Sequence, residues 1–242
     1  MLSKATIKFI KSLQVKKYRK QEQCFVIEGA KSVQELLDSD FEVVKLLGTA
    51  DFLRNLKSPA KCEVIEVSPA ELEAVGEFKS NRTVLAVARM KPNAPLEVDS
   101  AEYALVLDDI SDPGNLGTIV RTADWYGISK IIASHDTADF YNPKVISATM
   151  GSFTRVNIYY ADLTEFLTRQ RGPVYGAFLD GHDVHRISFA KGGLLVIGSE
   201  SHGISAPLHP LITTRITIPR YGNAESLNAA IATAIICDNI MR

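Results

Sequence analysis

The chain has 242 residues, of which 46% are hydrophobic and 23% charged, a composition typical of a folded globular protein and far from the polar, highly charged regime of disorder. With 27 basic and 28 acidic side chains its formal net charge is -1, which excludes a protein that coats polyanions by bulk charge. The length suits one large domain or two small ones, at about 150 residues per domain.

The near-neutrality is a cancellation. Residues 1–92 carry 16 Lys and Arg against 12 Asp and Glu, whereas residues 93–242 carry 11 against 16. Lys4, Lys8, Lys11, Lys16, Lys17, Arg19 and Lys20 all fall in the first 20 residues, which hold no acid. This arm, densest at Lys16, Lys17, Arg19 and Lys20, reads as a phosphate-seeking surface or as a solvated helix face that happens to be basic. Cys24, Cys62 and Cys237 are odd in number, far apart and without C-x-x-C spacing, so neither a disulfide framework nor a zinc site is suggested. No apolar run approaches the roughly 18 residues of a membrane span, and the basic N-terminus lacks the apolar stretch of a secretory signal. The expectation is a soluble, cytoplasmic protein with no membrane partner.

In chain order, short apolar runs at 25–27, 43–47, 64–67 and 84–87 alternate with helical stretches at 31–38 and 69–75, predicting a first α/β domain over residues 1–92. Lys91-Pro92-Asn93-Ala94-Pro95 breaks the periodicity and places a linker at 93–100. Beyond it, residues 103–107, 130–133, 156–160, 174–179, 194–197 and 216–218 read as strands with helical segments between. They predict a second α/β domain over 101–242, built on a mostly parallel sheet, with the loops at the carboxyl ends of its strands as the default ligand site.

Three of those loops carry unusual residues. Residues 108–117 run into a helix with Leu116, Ile119, Val120 and Ala123 on one face. Asn115 is placed as its N-cap, leaving N–H groups that can hold a phosphate. Arg121 lies opposite the apolar stripe, so packing does not require it; it is a functional candidate or an ordinary solvated arginine. Gly198-Ser199-Glu200-Ser201-His202-Gly203 has the outline of a dinucleotide fingerprint, but Glu200 replaces the middle glycine and would repel a pyrophosphate. A cationic ligand or a ribose hydroxyl fits better, and a plain strand-end turn stays open. Residues 216–230 open a terminal helix that runs to about residue 240 and is apolar almost all round, which predicts cover from its own sheet and from a second subunit. Ser226 and Asn228 at its mouth need polar partners or a ligand. His182 and His185 could share a helix face, but no third ligand lies near and no metal is expected.

At these loops the chain resembles a known family. Asn115-Leu116-Gly117-Thr118-Ile119-Val120-Arg121-Thr122-Ala123, then Ile197-Gly198-Ser199-Glu200-Ser201-His202-Gly203-Ile204, then Ile218-Pro219 with Ser226-Leu227-Asn228-Ala229-Ala230 resemble, in order, motifs 1, 2 and 3 of the SpoU (TrmH-like) RNA ribose methyltransferases of the SPOUT superfamily. Phe25-Val26-Ile27-Glu28-Gly29 and the helix after it resemble the L30e-like RNA substrate domain of that family. The resemblance implies an α/β SPOUT domain closed by a deep trefoil knot, S-adenosylmethionine as cofactor, and a homodimer formed through the terminal helix. It implies that Asn115, Arg121, Glu200, Ser226 and Asn228 line the reaction site, that Leu179, Gly198, Ile218 and Leu227 hold the cofactor, and that RNA is the partner, met by Lys16, Lys17, Arg19 and Lys20. Arg121 would be the general base, assisted by a substrate phosphate. Because a guanidinium pKa exceeds about 12, Arg121 could equally clamp phosphate and stabilise the developing alkoxide. The resemblance of the first domain to that of rRNA enzymes favours large-subunit rRNA as substrate, with tRNA, or a non-catalytic RNA-binding role, as the alternatives. Two departures stand out: Ser199 and Ser201 flank Glu200 where the family has Asn and Gly, and Arg220 follows Ile218-Pro219 where an apolar residue is usual.

Overall fold

A computed structural model describes residues 2–56 and 62–242 and divides the chain into two units, Met1–Pro92 with Tyr141–Thr154, and Asn93–Phe140 with Arg155–Arg242. The main stretch of the first unit ends at Pro92. The stretch 141–154, assigned by its position in sequence to the second domain, instead clusters with the first.

In the first unit, helices α1 (Lys4–Ser12) and α2 (Lys16–Glu22) lead into strand β1 (Cys24–Glu28), followed by α3 (Ala30–Leu37), β2 (Val43–Gly48), α4 (Ala50–Arg54), β3 (Glu63–Glu66), α5 (Pro69–Val75) and β4 (Val84–Arg89). The sheet order is β1-β4-β2-β3. β4 runs antiparallel to both β1 and β2, and only β2 and β3 are parallel, so this sheet is mixed. Ser3 and Thr49 accept from backbone N–H groups at the starts of α1 and α4, and Ser68 with Glu71 closes a capping box on α5, each satisfying donors that a helix start leaves free.

The second unit begins with β5 (Tyr103–Asp108), α6 (Pro113–Trp125) and β6 (Lys130–Ala133). The chain then returns to the first unit as α7 (Pro143–Thr149) and a 3-10 turn at Ser152–Thr154. There Tyr141 and Phe153 join Phe25 and Phe41 in one aromatic cluster, with ring centroids 4.6 to 6.0 Å apart. Such edge and tilted contacts add to the area those rings bury. The second unit resumes with β7 (Asn157–Tyr160), α8 (Leu163–Thr168), β8 (Val174–Asp183), β9 (Gly193–Gly198), a 3-10 turn at Ala206–Leu211, β10 (Thr214–Thr217) and α9 (Ala229–Ile240). Its six strands lie in the order β10-β8-β9-β5-β6-β7, every pair parallel. Buried β5 and β9 form the middle of the sheet, as their unbroken apolar runs require of strands covered on both faces.

Two local expectations are corrected. β8 does not end at 179: it pairs with β10 at Tyr175 and Gly176, skips five residues, and pairs again at His182 and Asp183. His182 is therefore a strand residue and shares no helix face with His185; no cluster of metal-ligating side chains forms among the described residues. No helix among them is long and apolar enough to cross a membrane.

Candidate active site

The ends of β5 and β9 are register partners, Asp108 opposite Gly198, and the chain leaves them towards α6 and into a tight turn. Asp108, nearly buried, accepts the Ser205 N–H at 2.7 Å and so ties the far side of that turn back to β5. The turn closes through paired backbone bonds between Ser199 and Gly203 at 3.2 and 2.9 Å. Gly198 must be glycine, because a Cβ there would fall 2.1 Å from the Gly203 carbonyl carbon. The left-handed residue of the turn is Gly203, with φ +68°, and Ser201 is not among the residues of positive φ. A serine at 201 in place of glycine is therefore not strained.

The N-cap of α6 is Asp112, not Asn115. Asp112 accepts the Asn115 N–H at 2.8 Å, and Pro113 occupies the first helical position, where a missing N–H is harmless and the fixed φ suits a helix. Relieved of capping, the Asn115 side chain donates through Nδ2 to Glu200 Oε1. Asn228 is itself the N-cap of α9: its Oδ1 accepts from Ala230 and Ile231 N–H at 3.0 and 3.2 Å. Its Nδ2 donates to Asn115 Oδ1 at 2.8 Å and reaches Glu200 Oε1 at 3.4 Å. The same Glu200 oxygen accepts from Ala229 N–H at 3.4 Å. Three residues from three distant stretches thus meet in one hydrogen-bonded triangle, with its carboxylate at the N-terminus of a twelve-residue helix, where the helix dipole favours negative charge.

Arg121 is exposed on α6 and Ser226 is exposed in the loop before α9, and neither joins the triangle among the described residues. Leu179 lies in the skipped stretch of β8 and is 79% exposed. Its position is nevertheless fixed. Thr217 Oγ1 donates to the Leu179 carbonyl at 3.2 Å, Arg215 pairs with Asp180 at 3.1 Å, and the Arg215 guanidinium lies 3.8 Å over the Phe178 ring. Gly181 lets the β10 backbone approach, since a Cβ would sit 2.7 Å from the Arg215 carbonyl oxygen. Ile218, half-buried, follows β10, and Leu227 is exposed one residue before the α9 cap. Asp108 and the Arg215 and Thr217 contacts escape sequence reasoning because their partners are set by strand pairing. Asp112 could have been read from the Asp-Pro signature of a helix start.

The chain matches the SpoU rRNA Methylase family over residues 102–238 and the MRM3-like substrate binding domain over residues 4–86. It belongs to the SpoU rRNA methylase family. Among the relatives of this SpoU chain, the Bacillus subtilis 23S rRNA (guanosine(2553)-2'-O)-methyltransferase RlmP is 31% identical over 95% of this chain and 93% of its own. A TrmH-family protein from Porphyromonas gingivalis is 40% identical with a TM-score of 0.90, covering 99% of this chain and 98% of that one. An AdoMet-bound rRNA methyltransferase from Sinorhizobium meliloti is 30% identical with a TM-score of 0.88, covering 99% and 95%.

The basic arm of this SpoU protein divides. Lys16, Lys17 and Lys20 are exposed, but Arg19 is only 1% exposed and its Nη1 donates to the carbonyls of Leu13 and Gln14 at 2.9 and 2.8 Å. Arg19 is thus not an RNA contact. It satisfies carbonyls left open where α1 ends, a position a cation also favours electrostatically.

Proposed function

We propose that the protein is an S-adenosylmethionine-dependent RNA ribose 2′-O-methyltransferase acting on large-subunit rRNA. The observation that carries this reading is the Asn115, Glu200 and Asn228 triangle at the carboxyl ends of β5 and β9. The site suits the cofactor. Leu179 and Leu227 offer exposed apolar surface, Ile218 a half-buried one, and the Glu200 carboxylate is compatible with a cation as it would not be with a pyrophosphate. Leu179, Gly198, Ile218 and Leu227 are the residues that would hold it, and the bound cofactor supplies an electrophilic methyl group on a sulfonium.

Asn115 and Asn228 hold Glu200 in one orientation, so a ribose entering the site meets fixed acceptors and donors rather than groups that must reorganise. Ser226 lies close enough in sequence to share that role. Arg121, unencumbered by packing, clamps a phosphate and stabilises the ribose oxygen as its proton passes to solvent, which costs less than deprotonating a guanidinium. In this reading the last strands and α9 thread a trefoil knot, the first unit is an L30e-like substrate domain, and two copies pair through α9. The match of residues 4–86 to a substrate binding domain supports the second of these points, and the exposed Ile231 on the apolar α9 supports the third.

Transfer of a labelled methyl group from S-adenosylmethionine to rRNA, followed by mapping of ribose methylation, tests the function. Arg121→Ala is expected to bind cofactor normally and to lose about 10²-fold or more in rate. Near-normal turnover by that variant would remove Arg121 from the reaction, and methyl groups found on bases or only on tRNA would overturn the proposed substrate.

A further inference from the structure

Leu179 is an apolar side chain standing in water, on a stretch of β8 that pairs with neither neighbouring strand between Gly176 and His182. A segment without ladder bonds is ordinarily among the first to open. Here side chains replace the ladder. The Arg215 guanidinium lies 3.8 Å over the Phe178 ring and donates to Asp180 Oδ1 at 3.1 Å, so one group grips the residues on both sides of Leu179. Thr217 Oγ1 holds the Leu179 carbonyl between them. Phe178 in turn packs on the buried cluster that contains Ile204 and Leu208. Its ring also meets that of His209 edge-on, with centroids 5.2 Å apart. His209 Nε2 donates to the Ile204 carbonyl at 2.8 Å, and Ile204 directly follows Gly203, which closes the turn that carries Glu200. Asp180, Arg215, Phe178 and His209 thus form one array running from Leu179 to the turn that starts at Gly198.

We infer that Arg215 is a positioning residue for the cofactor: by gripping Phe178 and Asp180 it presents Leu179 to the ligand and holds that stretch in a fixed relation to the Gly198 turn. This role rests on the cofactor reading above and deepens it by naming what sets up the site. Its energetic ground is preorganisation, since a loop ordered before the ligand arrives does not lose that freedom on binding. Charge alone predicts the opposite effect. Arg215 is a cation near the residues that would hold a sulfonium, so removing it and leaving Asp180 unpaired would tighten binding if only electrostatics mattered.

The test is calorimetry on the full-length protein with S-adenosylmethionine and with S-adenosylhomocysteine, which lacks the sulfonium charge. A wild type that binds neither would overturn the cofactor reading itself, and this role with it. With wild-type binding in hand, Arg215→Ala is expected to weaken both ligands about tenfold and to leave the melting temperature of the free protein little changed. In turnover its KM for S-adenosylmethionine should rise by a similar factor at unchanged kcat, the pattern of binding lost equally from ground and transition states. Arg215→Lys keeps a partner for Asp180 but not the flat stack on Phe178, and should recover only part of the affinity. Unchanged or tighter binding by Arg215→Ala would overturn the positioning role while leaving the cofactor reading intact. A lowered melting temperature with KM and kcat impaired together would also overturn it, making Arg215 a strut of β10 alone.

Discussion

Arg19 is nearly fully buried and donates to two carbonyls at the end of α1. Removing its side chain deprives both acceptors and opens a cavity. Arg19→Ala is therefore expected to destabilise the protein by about 3 kcal/mol in urea titrations. Arg19→Lys should recover only part of this, because an ammonium lacks the planar fork. Unchanged stability with weakened RNA binding would return Arg19 to a surface role. By residue type Arg19 cannot be told from Lys16, Lys17 and Lys20, since only the phase and bounds of α2 distinguish inward from outward. Asn115 illustrates a different limit: its place in the site was legible from its motif, but the job first assigned to it belongs to Asp112. Glu200 and Asn228 were legible as chemistry, and their mutual bonds were not, because these depend on strand register and on where α9 begins.

Among the elements, α5 is the most legible, since Ser68-Pro69-Ala70-Glu71 spells a capping box that the structure contains. Glu71 has its pKa pulled down to about 2, first by the Ser68 N–H and then by the Leu2 N–H. A carboxylate held below its ordinary value of 4.5 contributes stability above that pH and loses it as pH falls towards about 2. The stability difference between wild type and Glu71→Gln should therefore be largest near neutrality and shrink as pH drops through that window, as read by urea midpoints. A difference that stays constant with pH would mean that the charge is irrelevant to the cap. Glu28, at the end of β1, works in the opposite sense. Burial raises its pKa, so its ionisation lowers stability as pH rises above 4.5, and subtracting the variant removes that contribution. The interrupted pairing of β8 with β10 was not legible. A strand pattern shows which residues are apolar but not where a neighbouring strand resumes register, and that interruption is what exposes Leu179.

For the whole molecule, the structural units sharpen the charge division. Because Tyr141–Thr154 carries Lys144 and no acid, the first unit has a formal charge of +5 and the second -6, a basic part suited to phosphates and an acidic one suited to a cationic cofactor. Pairing through α9 is expected to give a dimer mass by sedimentation, and Ile231→Glu, at a position 52% exposed, should give a monomer. An unchanged dimer would place the contact elsewhere. Stretch 141–154 falls in the second domain by position in sequence alone, since the apolar Val145, Ile146 and Phe153 suit either sheet. Its destination bears on inheritance as well as on folding. With Tyr141 and Phe153 covering Phe25 and Phe41, a gene segment ending at residue 92 encodes a unit whose aromatic cluster is incomplete. That unit is not transplanted whole by a single cut, so changes in what it binds are more readily made by point substitution than by exchange of a domain.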